Sequence, residues 1–163
     1  MNAAHIHLVI THLPIFGSIL GAIVMAQALW TRSNPTKIAA YTVFILSAIG
    51  ASVAYLTGEG AEETVEGLQG VAEGMIEQHE EFAMFALGSM LLLGLASIAG
   101  LLLTLRKSAL TRTMATVILL VSLVSFGLAV RTGYLGGQIR HTEISAGTSN
   151  AGGAAVEVES DDD

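Results

Sequence analysis

The chain has 163 residues, of which 52% are hydrophobic and only 13% are charged, about half the charged fraction of an ordinary soluble domain. It contains no cysteine, which excludes disulfides, iron–sulfur clusters and thiolate metal sites. The net charge is −7, and the seven lysines and arginines are scattered, so the composition excludes nucleic acid as a partner. What remains is a chain suited to an apolar environment.

Four uncharged runs cover most of the chain, at residues 13–31, 38–58, 82–105 and 113–130. Each run reaches the about 18 to 20 residues needed to cross a hydrocarbon core of about 30 Å. Because lipid offers the backbone no hydrogen-bond partners, each run is predicted to be a helix. No Lys or Arg precedes the first run, so we expect a lasting helix there rather than a cleaved signal peptide.

The predicted fold class is all-α, an integral membrane four-helix antiparallel bundle with a short surface helical segment between helices 2 and 3. The predicted transmembrane domain covers residues 1–144, with helices at about 8–31, 38–57, 80–105 and 113–135. Residues 145–163 are mostly Gly, Ala, Ser and acidic residues. They cannot bury enough apolar area to fold, so we expect a disordered acidic tail.

The basic residues predict the orientation of the bundle. Five of them fall between the first and second runs or between the third and fourth, namely Arg32, Lys37, Arg106, Lys107 and Arg112. The positive-inside rule places such loops in the cytoplasm. We therefore expect a multi-pass protein of the bacterial inner membrane with both termini periplasmic. All five histidines and all fourteen acidic residues then lie on the outer side.

His12 is the most informative of these polar residues. Pro14 has no N–H to donate to the carbonyl of Ile10, so the first helix is predicted to begin or kink beside His12. An ionisable group near the membrane boundary favours a functional role. His79, at the start of the third run, and His141, after the fourth, are expected at the same level. His5 and His7 are expected at the periphery.

The first interpretation is a membrane electron-transfer subunit that binds b-type haem at the outer face. Imidazole is a frequent axial ligand of haem iron, and the predicted axial pair is His12 with either His79 or His141. The other predicted contacts are Arg131 and Arg140 with the propionates, and Gly17, Gly21, Gly136 and Gly137 where the backbone approaches the macrocycle.

The second interpretation is a non-haem metal site in a membrane protein or enzyme. Mixed imidazole and carboxylate ligands suit iron, zinc, manganese or copper. The Glu-x-x-His signature of di-iron bundles is absent from the sequence. The candidate ligands are His7, His12, Glu59, Glu62, Glu63, His79, Glu80 and His141.

The third interpretation is a cofactor-free accessory subunit of a membrane complex, in which the same polar groups form ion pairs. In all three interpretations the lipid bilayer is a partner. Other membrane or periplasmic redox proteins are the expected protein partners, and the sequence leaves a homo- or hetero-oligomer open.

Several short motifs occur in a fixed order along the chain. They are Thr11-His12-Leu13-Pro14-Ile15, Thr57-Gly58-Glu59, His79-Glu80, and Gly133-Tyr134-Leu135-Gly136-Gly137 followed by His141. In this order they resemble the pattern of the DUF2231-type bacterial membrane proteins, over residues 5–144. The resemblance implies a four-helix membrane fold. Members of that family are found fused to or encoded near redox domains, so it also implies electron transfer, but it assigns no catalytic residue.

Overall fold

The computed structural model describes residues 2–65, 71 and 73–140, and these residues fold into helices with no strand among them. The helices are α1 (Ala3–Ile10), α2 (His12–Thr31), α3 (Asn34–Leu56), α4 (Gly58–Val65), α5 (Glu73–Leu105) and α6 (Thr111–Arg140). His141 and the predicted tail at 145–163 lie outside the described residues.

Four helical stretches are long and apolar enough to cross a membrane. They are Ala3–Thr31, Asn34–Leu56, Gly74–Leu105 and Thr111–Ile139. Large apolar side chains cover the outside of the bundle, among them Leu20, Ile23, Leu92, Leu95 and Val124. A surface of this kind suits lipid rather than water. The prediction of an all-α, four-helix membrane bundle is confirmed.

The four long helices form a ring in the order α2, α3, α5, α6. Both α2 and α5 pack against α3 and α6, so α2 and α5 lie diagonally across the ring. We use the name loop end for residues 31–37 and 105–112, which comprise the α2–α3 and α5–α6 connections and the helix termini beside them. The opposite end is called the histidine end, and it comprises residues 3–12, 54–65, 73–82 and 131–140.

The core of the bundle is tightly packed around Tyr41 and Phe44 of α3. Both side chains are fully buried, together with Met25, Met90, Leu93 and Ile118 from the other three long helices. A Cβ added to Gly21 would lie 2.5 Å from Cε1 of Phe44, and one added to Gly17 would meet Ser47. Gly17 and Gly21 therefore allow α2 to pack closely against α3. The close approach at these two glycines is to a neighbouring helix, whereas the sequence predicted an approach to the macrocycle.

The predicted first helix, at 8–31, is divided at Thr11 into α1 and α2. Thr11 keeps helical dihedral angles (φ −60°, ψ −24°), and its N–H donates to the carbonyl oxygen of His7 at 3.0 Å. Pro14 has no N–H to donate to the carbonyl oxygen of Ile10, and the Thr11 hydroxyl donates to the carbonyl oxygen of Leu8 at 3.0 Å. α1 packs against α3 and α4, which holds it at the histidine end.

The other helix bounds differ from the predicted ones mainly at the histidine end. α5 begins at Glu73 rather than near residue 80, so residues 73–79, predicted to precede the third helix, are its first turns. α4 supplies the short surface helix between the second and third spans. α6 continues to Arg140, past the predicted end near residue 135.

Candidate functional site

His7 lies where α1 crosses the end of α3. Its Nδ1 donates to the carbonyl oxygen of Ala54 at 2.8 Å, and the Thr57 hydroxyl oxygen lies 3.4 Å from the same nitrogen. The Ala54 carbonyl is in the last turns of α3, where backbone acceptors run short of helical donors. The ring is half-buried, although the sequence predicted a peripheral position for His7.

His79 holds the corresponding position on α5. Its Nδ1 donates to the carbonyl oxygen of Thr132 on α6 at 2.9 Å, and the side chain is half-buried. A Cβ added to Gly136, one turn beyond Thr132, would lie 3.0 Å from Cε1 and 3.2 Å from Nδ1 of His79. Glycine at 136 therefore gives the imidazole the room it needs beside α6.

The two imidazoles meet at the histidine end. Their ring centroids are 6.3 Å apart and their planes are inclined at 76°. A carbonyl oxygen can only accept a hydrogen bond, so in each neutral ring the proton is on Nδ1 and the lone pair is on Nε2. Metal-binding histidines commonly show this arrangement, in which a backbone carbonyl fixes the tautomer and leaves the other nitrogen to the metal.

His12 lies on a different side of the bundle. Its side chain is exposed, its Nδ1 donates to the carbonyl oxygen of Leu8 at 2.8 Å, and its ring stacks on Phe16 with centroids 6.3 Å apart. The structure therefore brings His7 and His79 together and leaves His12 outside the pair. His5 is also exposed, and its backbone N–H donates to the Asn2 side chain that caps α1.

The predicted carboxylate ligands do not form a metal-binding group with the pair in the described part of the chain. Glu59, Glu63 and Glu80 are exposed and Glu62 is half-buried. Within residues 2–65, 71 and 73–140, no group of three or more His, Asp or Glu side chains is close enough to hold a metal ion. What the described part of the site offers is thus a pair of imidazoles.

Arg131 occupies an aromatic setting on the outside of the same end. The guanidinium carbon lies 5.4 Å from the ring centroid of Phe82 and 5.6 Å from that of Tyr134, which are cation–π distances. It is adjacent in sequence to Thr132, whose carbonyl accepts from His79. Arg140 is the last residue of α6.

Sequence reasoning missed several members of this site. The carbonyls of Ala54 and Thr132 carry no side-chain signal, so only the fold reveals them. Gln138 is buried and donates to the Tyr134 hydroxyl at 3.0 Å. The sequence signal for it was a single amide side chain within an apolar helix. Gly136 was predicted from sequence as a contact of the macrocycle, whereas in the structure it leaves room for His79.

The fold and the site together define a multi-pass helical membrane protein with a histidine pair at one end of its bundle. Neither a scan against protein-family models nor searches of curated proteins and of solved structures found a match. The resemblance to DUF2231-type proteins therefore stays a prediction from the motifs quoted above.

Proposed function

We propose that this chain is a membrane electron-transfer subunit that binds b-type haem through His7 and His79. The observation that carries the proposal is the approach of these two rings, each with Nδ1 bonded to a backbone carbonyl and Nε2 available. This pair replaces the pairs predicted from sequence, which contained His12. His141, the other predicted ligand, lies outside the described residues.

The number of ligands favours haem over a non-haem metal. A structural or catalytic zinc takes three or four protein ligands, whereas the porphyrin supplies four nitrogens and leaves the protein only the axial positions. The ring centroids of His7 and His79 are 6.3 Å apart, so these two imidazoles would be the residues that hold the haem iron.

The surrounding residues suit an anionic macrocycle. Arg131 is the only basic side chain that the structure describes at the histidine end apart from imidazoles, and its guanidinium retains its hydrogen-bond donors while it lies against Phe82 and Tyr134. We infer that Arg131 would bind a propionate of the haem. Bound haem would supply one-electron oxidation and reduction, while the protein fixes the imidazole tautomers and shields the rings from water.

The basic loop end gives the bundle an orientation in the membrane. By the positive-inside rule, the basic loop end faces the cytoplasm of a bacterial inner membrane and the histidine end faces the periplasm. Electrons would then be exchanged with membrane or periplasmic redox proteins. The position of His7 and His79 at the end of the spans, rather than at their centre, supports exchange with a partner at that surface.

The test is an optical spectrum of the purified full chain combined with metal analysis. Air-oxidised and dithionite-reduced samples are compared after expression with haem precursor. A reduced α-band with one haem per chain is expected. A colourless preparation that stays colourless after haem titration would overturn the proposal. Stoichiometric metal without porphyrin would select the non-haem interpretation, and neither metal nor haem would select the cofactor-free subunit.

A further inference from the structure

The loop end carries a concentration of positive charge. Five of the seven basic residues lie there, and no Asp or Glu occurs in residues 1–58 or 82–142. The charge at the loop end is therefore unopposed by any acidic residue of the two loops or of the helix turns beside them. The members of this cluster are Arg32, Lys37, Arg106, Lys107 and Arg112.

Lys37 is the unusual member, because its side chain is buried. It is only 6% exposed, and its ammonium donates to Asn34 Oδ1 at 3.1 Å. An ammonium has three donors, and this amide neutralises none of its charge. A buried cation is costly unless a negative group compensates it, and no carboxylate of the described chain lies at the loop end. The environment of Lys37 therefore calls for an anion from outside the chain.

The two helix ends at this face have an unusual backbone. Arg32, after α2, has φ 55°, and Lys107, after α5, has φ 53°; they are the only non-glycine residues with positive φ in the described ranges. Glycine is the common residue at such left-handed caps. A cation at the C-terminal end of a helix is stabilised by the helix dipole. The left-handed backbone conformation at this position is, however, unfavourable for a residue that has a side chain. Both loops thus hold a positive charge where the backbone would favour glycine.

The cluster lies at the depth of lipid headgroups. Trp30, in the last turn of α2, is 90% exposed, and Leu105 and Leu110 flank the second loop with 60% and 62% exposure. Apolar side chains facing outward this close to the loops place the loops at the edge of the hydrocarbon. Tryptophan is enriched at that level of membrane proteins.

We propose that the loop end is a binding site for the headgroup phosphate of an anionic phospholipid. Arg32 belongs to the loop that joins α2 to α3, and Lys37 lies in the first turn of α3. Lys107 belongs to the second loop, on the neighbouring side of the ring because α3 packs against α5. Basic pockets between spans at the cytoplasmic face are the usual form of such sites. The phosphate supplies the negative charge that Lys37 lacks, and the acyl chains lie along the apolar surface next to Trp30.

The experiment measures lipid binding to the purified full chain in neutral detergent by native mass spectrometry. Phosphatidylglycerol, phosphatidylcholine and inorganic phosphate are titrated separately. The variants are Lys37→Gln and the double variant Arg32→Gly/Lys107→Gly, in which glycine suits the left-handed backbone and so preserves the fold. Glu77→Gln, at an exposed position of the histidine end, is the control for a change of one unit of charge.

Phosphatidylglycerol is expected to bind more tightly than phosphatidylcholine. Each lost cation should raise its Kd about fivefold, and the double variant about 25-fold, while Glu77→Gln leaves Kd unchanged. Equal binding of the two lipids would overturn the proposal, as would an effect of Glu77→Gln as large as that of Lys37→Gln. Inorganic phosphate that binds as tightly as the lipid would show a site for a free anion instead. Circular dichroism checks that each variant is folded.

Discussion

His7 and His79 meet at the histidine end, with ring centroids 6.3 Å apart, although α5, which carries His79, is diagonal to α2. His7 belongs to α1, which precedes α2 and packs against α3 and α4. Its Nδ1 donates to the carbonyl oxygen of Ala54 near the end of α3. The pair thus depends on where α1 packs rather than on the path of α2.

The first prediction separates this pair from the ligands expected from sequence. His7→Ala and His79→Ala should each abolish the reduced haem α-band, because each removes one axial ligand. His12→Ala should retain it, because that ring is exposed and bonded to its own helix. The measurement is the ratio of haem absorbance to protein absorbance after purification. His5→Ala, at an exposed position of α1, is the control for mutation near the terminus.

The opposite pattern would be equally clear. If His12→Ala lost the band while His7→Ala kept it, the axial role would return to His12 and the His7–His79 contact would be structural only. Helical content measured by circular dichroism must be unchanged in every variant for the comparison to hold.

The spans and their order could be predicted because they follow from local composition. An uncharged run long enough to cross lipid has few alternatives to a helix, so four runs define four helices. The histidine end also followed from sequence, since alternating helices place every second connection on the same side. Neither inference requires knowledge of how side chains pack.

The same reasoning could not identify which histidines form the pair, but the helical period could have placed His12 outside it. The inward face of α2 is marked by buried residues at helical spacing, most of them small, namely Pro14, Gly17, Ser18, Gly21, Ala22 and Met25. His12 is one turn before Phe16, which faces outward, so the helical period places both on the lipid side. The position of His7 depends on how α1 packs against α3 and α4, which the residues of α1 do not define.

The second prediction concerns the room that Gly136 leaves for His79. Gly136→Ala would place a Cβ 3.0 Å from Cε1 and 3.2 Å from Nδ1 of the imidazole, so the ring must shift by a few tenths of an ångström. We expect weaker haem retention and an altered low-spin electron paramagnetic resonance signal, with stability changed by less than about 1 kcal/mol, since the helix gains an alanine.

Gly137→Ala is the matched control for that variant. No atom of the residues that the structure describes lies within 4 Å of a Cβ at this position, so the substitution should gain about 0.5–1 kcal/mol of helix stability and leave the spectrum unchanged. Identical spectra for the two variants would contradict a positioning role for Gly136.

The third prediction tests the contact between α2 and α3. Gly21→Ala would place a Cβ 2.5 Å from the Phe44 ring, which is 0% exposed and cannot move aside. Overpacking of this kind should lower the free energy of unfolding by about 1–3 kcal/mol. Gly88→Ala, where a Cβ has no neighbour within 4 Å among the described residues, should instead gain about 0.5–1 kcal/mol. Denaturation in a fixed detergent compares them, and equal stability of both variants would mean that the two helices can separate at little cost.

The last prediction concerns a buried hydroxyl group in the middle of α5. Ser97 is 0% exposed, and its Oγ has no hydrogen-bond partner among the residues that the structure describes. An unsatisfied buried hydroxyl costs about 1–3 kcal/mol, so Ser97→Ala should raise the free energy of unfolding by about 1 kcal/mol. Ser122→Ala is the control, because Ser122 is equally buried but its Oγ donates to the Leu119 carbonyl oxygen at 2.7 Å. That variant should lose about 0.5–1.5 kcal/mol. A loss of stability in Ser97→Ala as large as in Ser122→Ala would show that Ser97 has a partner inside the bundle, such as a buried water molecule.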